Sequence, residues 1–417
     1  TVGCANCHNH KYDPVTQRDY FGLEAIFAAS ETWNRNTKAK AWGKGERTAY
    51  RAVRHAEKPV PIHLLTRGEL TKPTKLIAPA LPAFLPGGGA LPSGPDENKQ
   101  RRAQLARWLV SPQNPLTARV IVNRVWAWHF GVGLVATPSD FGINGERPTH
   151  PELLDWLAGE YVRSGWDTKH MLRLMFTSRA YRQTSASNPT INERDPDNRL
   201  LARGPRFRPP GELLRDQALA VSGLLAEKIG GPSVRPYQPE GLYKGIVVDA
   251  PYPSTTWELG KGDELYRRSL YTFWKRTVPH PAMLTFDSPD REFCSARRSR
   301  TNTPLQALVL WNETGYLESS RKLAERMLKE GGADDAARTA FAFRLATGRA
   351  PRPAETEVLV RTLAQLRADF SARPDDAAKL VKVGASVPDP TLPAVELAAA
   401  AGVANLILTL DETITKN

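Results

Sequence analysis

Cys4, Cys7 and His8 stand in the order C-x-x-C-H, as Cys4-Ala5-Asn6-Cys7-His8. That spacing suits covalent attachment of haem c: two thiols reach the two porphyrin vinyl groups, and the next residue presents an imidazole to the iron. With three cysteines and eight histidines in 417 residues, chance would give the pattern in on the order of four in ten thousand such chains. The competing chemistry is a zinc site built from Cys4, Cys7, His8 and His10, with Asp13 nearby. A closed zinc site usually wants a second pair of ligands, and the third cysteine, Cys294, lies far along the chain. A redox or structural dithiol is the third reading. If haem is held, Met171, Met175, Met283, Met327 and several histidines are candidates for the sixth ligand. Met171 and Met175 lie four apart on one helical face and read as core.

A second chemical stretch runs from Phe286 through Cys294 to Thr303, where carboxylates, a thiol and Arg297, Arg298 and Arg300 precede a helix start. Guanidinium groups there could bind an anion. Solvated faces or internal carboxylate partners are the plainer reading, as for Arg203, Arg206 and Arg208. Cys294 beside arginine could be a nucleophile, although a buried structural thiol is expected. His150, His170 and His280 read as caps, core hydrogen-bonding groups or surface residues. His129, beside Trp126, Trp128 and Phe130, belongs to a cluster of the kind that usually forms core. No G-x-S-x-G, P-loop, H-E-x-x-H or Rossmann fingerprint occurs, and whether the protein is an enzyme stays open.

The formal charge is +13. It favours acidic partners such as anionic polysaccharide, anionic lipid head groups or nucleic acid, without choosing among them. Three cysteines, two of them within four residues, exclude a disulfide framework. The start, Thr1-Val2-Gly3, shows no signal peptide, so the chain reads as the C-terminal part of a longer polypeptide. The longest apolar stretch, Ala394 to Leu410, contains Glu396, Gly402 and Asn405. It falls short of the about 20 residues a membrane span needs and reads as a buried helix.

Periodicity places the elements that must position these residues. Tyr20, Leu23, Ile26 and Phe27 predict a helix over 16–29, after Asp13-Pro14 as a start signal. Residues 31–58 read as exposed and irregular, with Gly43 and Gly45. Eight prolines between Pro59 and Pro95 predict an extended linker with a short edge strand over 60–65. After Asn98 two packed helices are expected, one through Leu105, Trp108 and Leu109 and one through Val120, Val122, Val125, Trp126 and Phe130. His150-Pro151-Glu152 opens another with Leu153, Leu154, Trp156 and Leu157. Further helices follow over 168–181, 211–225, 304–327, 334–347, 353–370 and 395–410, with a strand over 268–275 and loops with short strands over 230–261. The fold class is mainly α: a multi-helix orthogonal array with minor short β-strands and long Pro/Gly-rich loops. The domain reading is 1–34, 35–98 as connector and linker, and 99–417.

The stretch from Thr1 to Pro14, followed by Gln17-Arg18-Asp19-Tyr20-Phe21, resembles the end of the planctomycete cytochrome-c-like domain, domain of unknown function 1549. The remainder resembles the planctomycete surface domain of unknown function 1553. It does so through Asn123-Arg124-Val125-Trp126, Asp140-Phe141-Gly142, His150-Pro151-Glu152-Leu153-Leu154 and Arg300-Thr301-Asn302-Thr303-Pro304-Leu305-Gln306. The resemblance implies an exported, extracytoplasmic multidomain protein at the periplasm or cell surface, with no established reaction. Cys4, Cys7 and His8 carry over as haem residues. An electron-transfer or redox-linked role with a partner protein is the first expectation. The others are a surface scaffold binding anionic, sulfated polysaccharide, and an enzyme of polysaccharide degradation built around Cys294; nucleic acid is not the expected partner.

Overall fold

The computed structural model describes residues 2–37, 48–56, 58–92, 94–243 and 257–416. They form two compact units, Thr1–Pro205 and Arg206–Asn417.

In the first unit a 3-10 turn, Val2–Asn6, precedes helix α1, Gln17–Phe27. The cap of α1 is Thr16, where the expected helix begins: Thr16 Oγ1 accepts from Asp19 N, and the Asp19 carboxylate accepts from Thr16 N. This reciprocal pair satisfies two backbone donors that a helix start leaves orphaned. Asp19 Oδ1 also accepts from Ala83 N at 2.9 Å, which fixes the proline-rich segment against α1. Burial opposes ionisation of Asp19, yet these bonds hold its carboxyl below the usual range.

Strands β1 (Ser30–Thr37) and β2 (Thr48–His55) form an antiparallel pair. This corrects the irregular segment expected over 31–58. Thr32, Trp33, Tyr50 and Val53 are strand formers, whose signal the surrounding basic and glycine residues dilute. Residues 38–47, with Gly43 and Gly45, lie outside the described residues. Strands β3 (His63–Leu65) and β4 (Pro73–Leu76) pair, as do β5 (Ala80–Leu81) and β6 (Gly89–Ala90). The expected edge strand is therefore real but shorter, and the proline-rich stretch is folded onto the unit through Leu81, which is buried.

Helices α2 (Pro95–Leu109), α3 (Thr117–Phe130), α4 (Pro151–Arg163) and α5 (Thr168–Thr177) follow, with the short α6 (Arg179–Arg182) and α7 (Pro189–Arg194). Their core gathers Val122, Trp126, Phe130, Leu154, Met171 and Met175. Trp126 stacks on Phe130 with ring centroids 3.9 Å apart, a pairing worth about 1 kcal/mol beyond burial.

In the second unit α8 (Gly211–Ser222), α9 (Pro281–Thr285) and α10 (Pro304–Asn312) lead to α11 (Thr314–Glu330) and α12 (Asp335–Thr347). After them come α13 (Pro353–Ala372), α14 (Pro374–Leu380), α15 (Ala394–Thr409) and α16 (Asp411–Ile414). The single helix expected over 304–327 breaks at Glu313, whose side chain caps α11 by accepting from Gly315 N and Tyr316 N. The strand expected over 268–275 is instead a 3-10 turn, Ser269–Tyr271, with an isolated bridge between Val234 and Thr272. Of the loop over 230–261, residues 244–256 lie outside the described ones. Helix α15 is the buried centre: Leu397, Val403, Ala404 and Ile407 are fully enclosed. Asn405, polar within it, donates to Leu310 O and Ser320 Oγ. The structure is thus mainly α, with short strands. No helix of the described residues is long and apolar enough to cross a membrane.

Candidate functional site

The 3-10 turn puts Ala5 in the core and leaves Cys4, Cys7 and His8 at the surface. Both thiols are free, so the pair is not a disulfide here. The Gln17 side chain clamps the turn from behind, donating to Asn6 O and to Leu65 O at 2.9 Å each. Asn9 Oδ1 returns the contact by accepting from Gln17 N.

The two nearby histidines are held in opposite ways. His8 Nδ1 lies 2.6 Å from Asn9 O. A carbonyl only accepts, so Nδ1 carries the proton and Nε2 is left as a bare lone pair. This is the arrangement in which a histidine ligates a metal through one nitrogen while the other is held by a backbone carbonyl. His10 Nδ1 instead accepts from Asp13 N at 2.9 Å and Tyr12 N at 3.3 Å. Its proton therefore sits on Nε2, and the ring serves the turn that leads into α1 rather than a ligand set.

Asp13 anchors this turn from the other side. Its Oδ1 accepts from Ile143 N at 2.8 Å, and its carboxylate lies so close to Gly142 that a Cβ there would stand 2.3 Å from Oδ2. Above Cys7, Gly68 adopts φ +73°, and a Cβ at that residue would lie 2.8 Å from the Cys7 sulfur. Glycine therefore keeps the thiol open as well as relieving the left-handed backbone.

The fit to haem c rests on these donors: two surface thiols in the required spacing and one imidazole with a lone pair at Nε2. For zinc, no group of three or more His, Cys, Asp or Glu side chains is gathered among the described residues as one ion would need. His10, the extra ligand of that reading, is engaged elsewhere. Met171 and Met175 are 1% and 2% exposed within the helical core, the packing role expected of them. Met283 and Met327 are also enclosed.

The second stretch resolves into internal ties. Arg298 Nη1 bonds both oxygens of Glu212, at 2.9 and 3.0 Å. Arg300 lies 4.3 Å over the Phe207 ring. Asp287 accepts from Thr301 N and Thr301 Oγ1 and pairs with Arg208. Ser295 Oγ donates to the Arg297 carbonyl. The buried thiol expected at Cys294 is corrected: residues 291–302 are all exposed, Cys294 with them, because this segment has no helix or strand to draw it inward. His129 meets Phe176 edge-on at 4.8 Å, and His170 Nε2 lies 2.9 Å from Glu160 Oε1. His150 Nδ1 contacts Thr149 Oγ1 at 3.0 Å.

Sequence reasoning passed over one polar cluster. In the second unit His280 is buried beside Tyr237, Arg215, Glu313 and Tyr316, around a cavity of about 20 Å³. Arg215, Tyr237, His280 and the neighbouring pair Glu313 and Tyr316 come from separate stretches of sequence without a motif, and only folding brings them together.

Two family models match the chain. Residues 101–363, more than half of its length, match PSD1, a protein of unknown function (DUF1553). Residues 1–32 match PSCyt2, likewise a protein of unknown function (DUF1549). No curated protein and no solved structure matches the chain.

Proposed function

Since the chain belongs to the PSD1 (DUF1553) family and opens with a PSCyt2 (DUF1549) segment, we propose that it is an extracytoplasmic haem c protein with a redox-linked role. Its PSD1 part would serve as the binding module. Cys4 and Cys7 would hold the porphyrin through thioether bonds, and His8 would present Nε2 to the iron. Bound there, the haem supplies one-electron transfer with a partner protein.

The observation that carries this reading is the contrast between His8 and His10. Asn9 O fixes the proton of His8 on Nδ1 and leaves Nε2 available, whereas two backbone donors occupy the lone pair of His10. Around them Gln17 holds the 3-10 turn in place, and Gly68 leaves the Cys7 sulfur uncovered. Thioether attachment takes place outside the cytoplasm, which supports export. A polysaccharide-facing role through Arg297, Arg298 and Arg300 gains little support, because Arg298 is paired with Glu212 and Arg300 is stacked on Phe207.

The test is optical and metal analysis of the protein made in a host with haem-attachment machinery. A Soret band that survives acid-acetone extraction is expected in the unaltered protein and absent from the Cys4→Ser, Cys7→Ser double variant. A colourless protein carrying stoichiometric zinc would overturn the proposal.

A further inference from the structure

Three buried polar atoms in the second unit that lack a partner belong to residues lining two adjoining cavities. The first, about 20 Å³, is lined by His280, Met283, Arg215, Tyr237, Glu313 and Tyr316. The second, about 10 Å³, shares the wall of Arg215, Tyr237, Glu313, Gly315 and Tyr316 and adds Glu318 and Ser319. His280 is 4% exposed, Glu318 0% and Ser319 1%. His280 Nδ1, Glu318 Oε2 and Ser319 Oγ each lack a hydrogen-bond partner. Leaving such atoms unpaired costs about 1–3 kcal/mol each, so native proteins supply them with partners.

The other atoms of these groups define what the partner must be. His280 Nε2 lies 2.8 Å from Tyr237 O, which puts the ring proton there and leaves Nδ1 purely an acceptor. Burial keeps this imidazole neutral down to about pH 4. Glu318 Oε1 already accepts from Tyr266 Oη at 2.8 Å and from Ser386 N and Ser386 Oγ at 2.6 Å each. Its Oε2 therefore seeks another donor. Ser319 Oγ can donate or accept. His280 Nδ1 and Glu318 Oε2 offer an anion only acceptors, and the Arg215 guanidinium in the shared wall already donates to Arg267 O, Ser269 Oγ and Leu265 O. Volumes of about 20 and 10 Å³ leave room for about one water each. These facts select a neutral donor of water's size.

We infer that the second unit contains a hydrated polar site of two waters, one donating to His280 Nδ1 and the other bridging Glu318 Oε2 and Ser319 Oγ. The first water satisfies a ring nitrogen at the N-terminus of α9, and the second satisfies a buried carboxylate on α11. The site lies beside the apolar contacts that Leu214 and Ala218 of α8 make with Phe286 and with Tyr316 of α11. It is independent of the haem motif.

The test uses the 417-residue chain and needs no ligand beyond water. A crystal structure at about 1.5 Å, with water relaxation dispersion in solution, should show one ordered, slowly exchanging water at each position. Ser319→Ala should weaken or remove the second and leave the first; His280→Phe should remove the first and leave the second. If either variant fails to fold, density in the unaltered protein still decides. Dry cavities, an ion or organic molecule at His280, or ¹⁵N shifts placing the ring proton on Nδ1 would overturn the inference.

Discussion

Asp13 and Ile143, 130 residues apart, are joined by a 2.8 Å hydrogen bond from the Ile143 backbone N–H to Asp13 Oδ1. The bond ties the turn behind C-x-x-C-H to the Asp140-Phe141-Gly142 loop, within one compact unit. The two family matches, 1–32 and 101–363, thus meet inside a unit that ends at Pro205.

Gly142→Ala tests that junction. The added Cβ would stand 2.3 Å from Asp13 Oδ2, and relieving the clash means moving the carboxylate off Ile143. Overpacking of this kind costs about 1–3 kcal/mol. Chemical denaturation should show the loss, and amide exchange should be faster at Ile143, the donor released. Unchanged exchange at that amide would contradict the linkage.

The two histidines of the motif should respond differently to substitution. His8→Ala should change the Soret and visible bands of a haem-loaded protein, because the imidazole proposed to ligate the iron is gone. His10→Ala should leave that spectrum in place and lower stability by about 1 kcal/mol through loss of two bonds to Asp13 N and Tyr12 N. Absorption spectra and thermal melts read the two effects separately; the same spectral change in His10→Ala would contradict the assignment.

Much of this was legible from periodicity alone. Helices α3, α4, α5, α12, α13 and α15 follow apolar residues spaced by three and four, and the C-x-x-C-H motif is local, so no tertiary information is needed to see it. What escaped depended on partners far away in sequence. The β1–β2 pair was hidden because strands are stabilised by cross-strand neighbours, and a basic, glycine-containing stretch masks their pattern. The break at Glu313 was hidden because Trp311 and Tyr316 continue an apolar pattern across it, while a capping carboxylate interrupts the helix. The distinct roles of His8 and His10 could not be read either, since which ring nitrogen is engaged depends on backbone geometry.

Acid should weaken the second unit through His280. Burial among Met283, Tyr237 and the Arg215 guanidinium lowers its pKa from 6.5 to about 4, with the Tyr237 carbonyl opposing the shift and Glu313 nearby. In the unfolded chain the ring binds a proton below about 6.5, and in the folded chain only below about 4. The unfolded state therefore holds more protons in between, and stability falls as pH drops through that window, by at most about 3 kcal/mol. Above pH 6.5 the contribution is complete. Urea midpoints from pH 7 to pH 4 check this; His280→Asn should show a shallower slope, and an equal slope would contradict it.

Removing one member of the buried ion cluster should be severe. Arg321 is 1% exposed; it donates to Glu325 Oε1 at 2.6 Å and to Ser386 O at 2.8 Å, and lies 3.8 Å from Glu318 Oε1. Arg321→Ala leaves the enclosed Glu318 without its ion-pair partner and Glu325 with Lys322 alone, a loss of about 3–5 kcal/mol. Calorimetry should show the second unit melting earlier, with the first unit unchanged.

The haem assignment is tested most directly by mass spectrometry of the peptide ending at Lys11, after proteolysis of protein made in a host with haem-attachment machinery. A haem mass on that peptide, linked at both Cys4 and Cys7 and lost in Cys4→Ser, Cys7→Ser, is the predicted result. The same peptide with both thiols free and freely alkylated would contradict it.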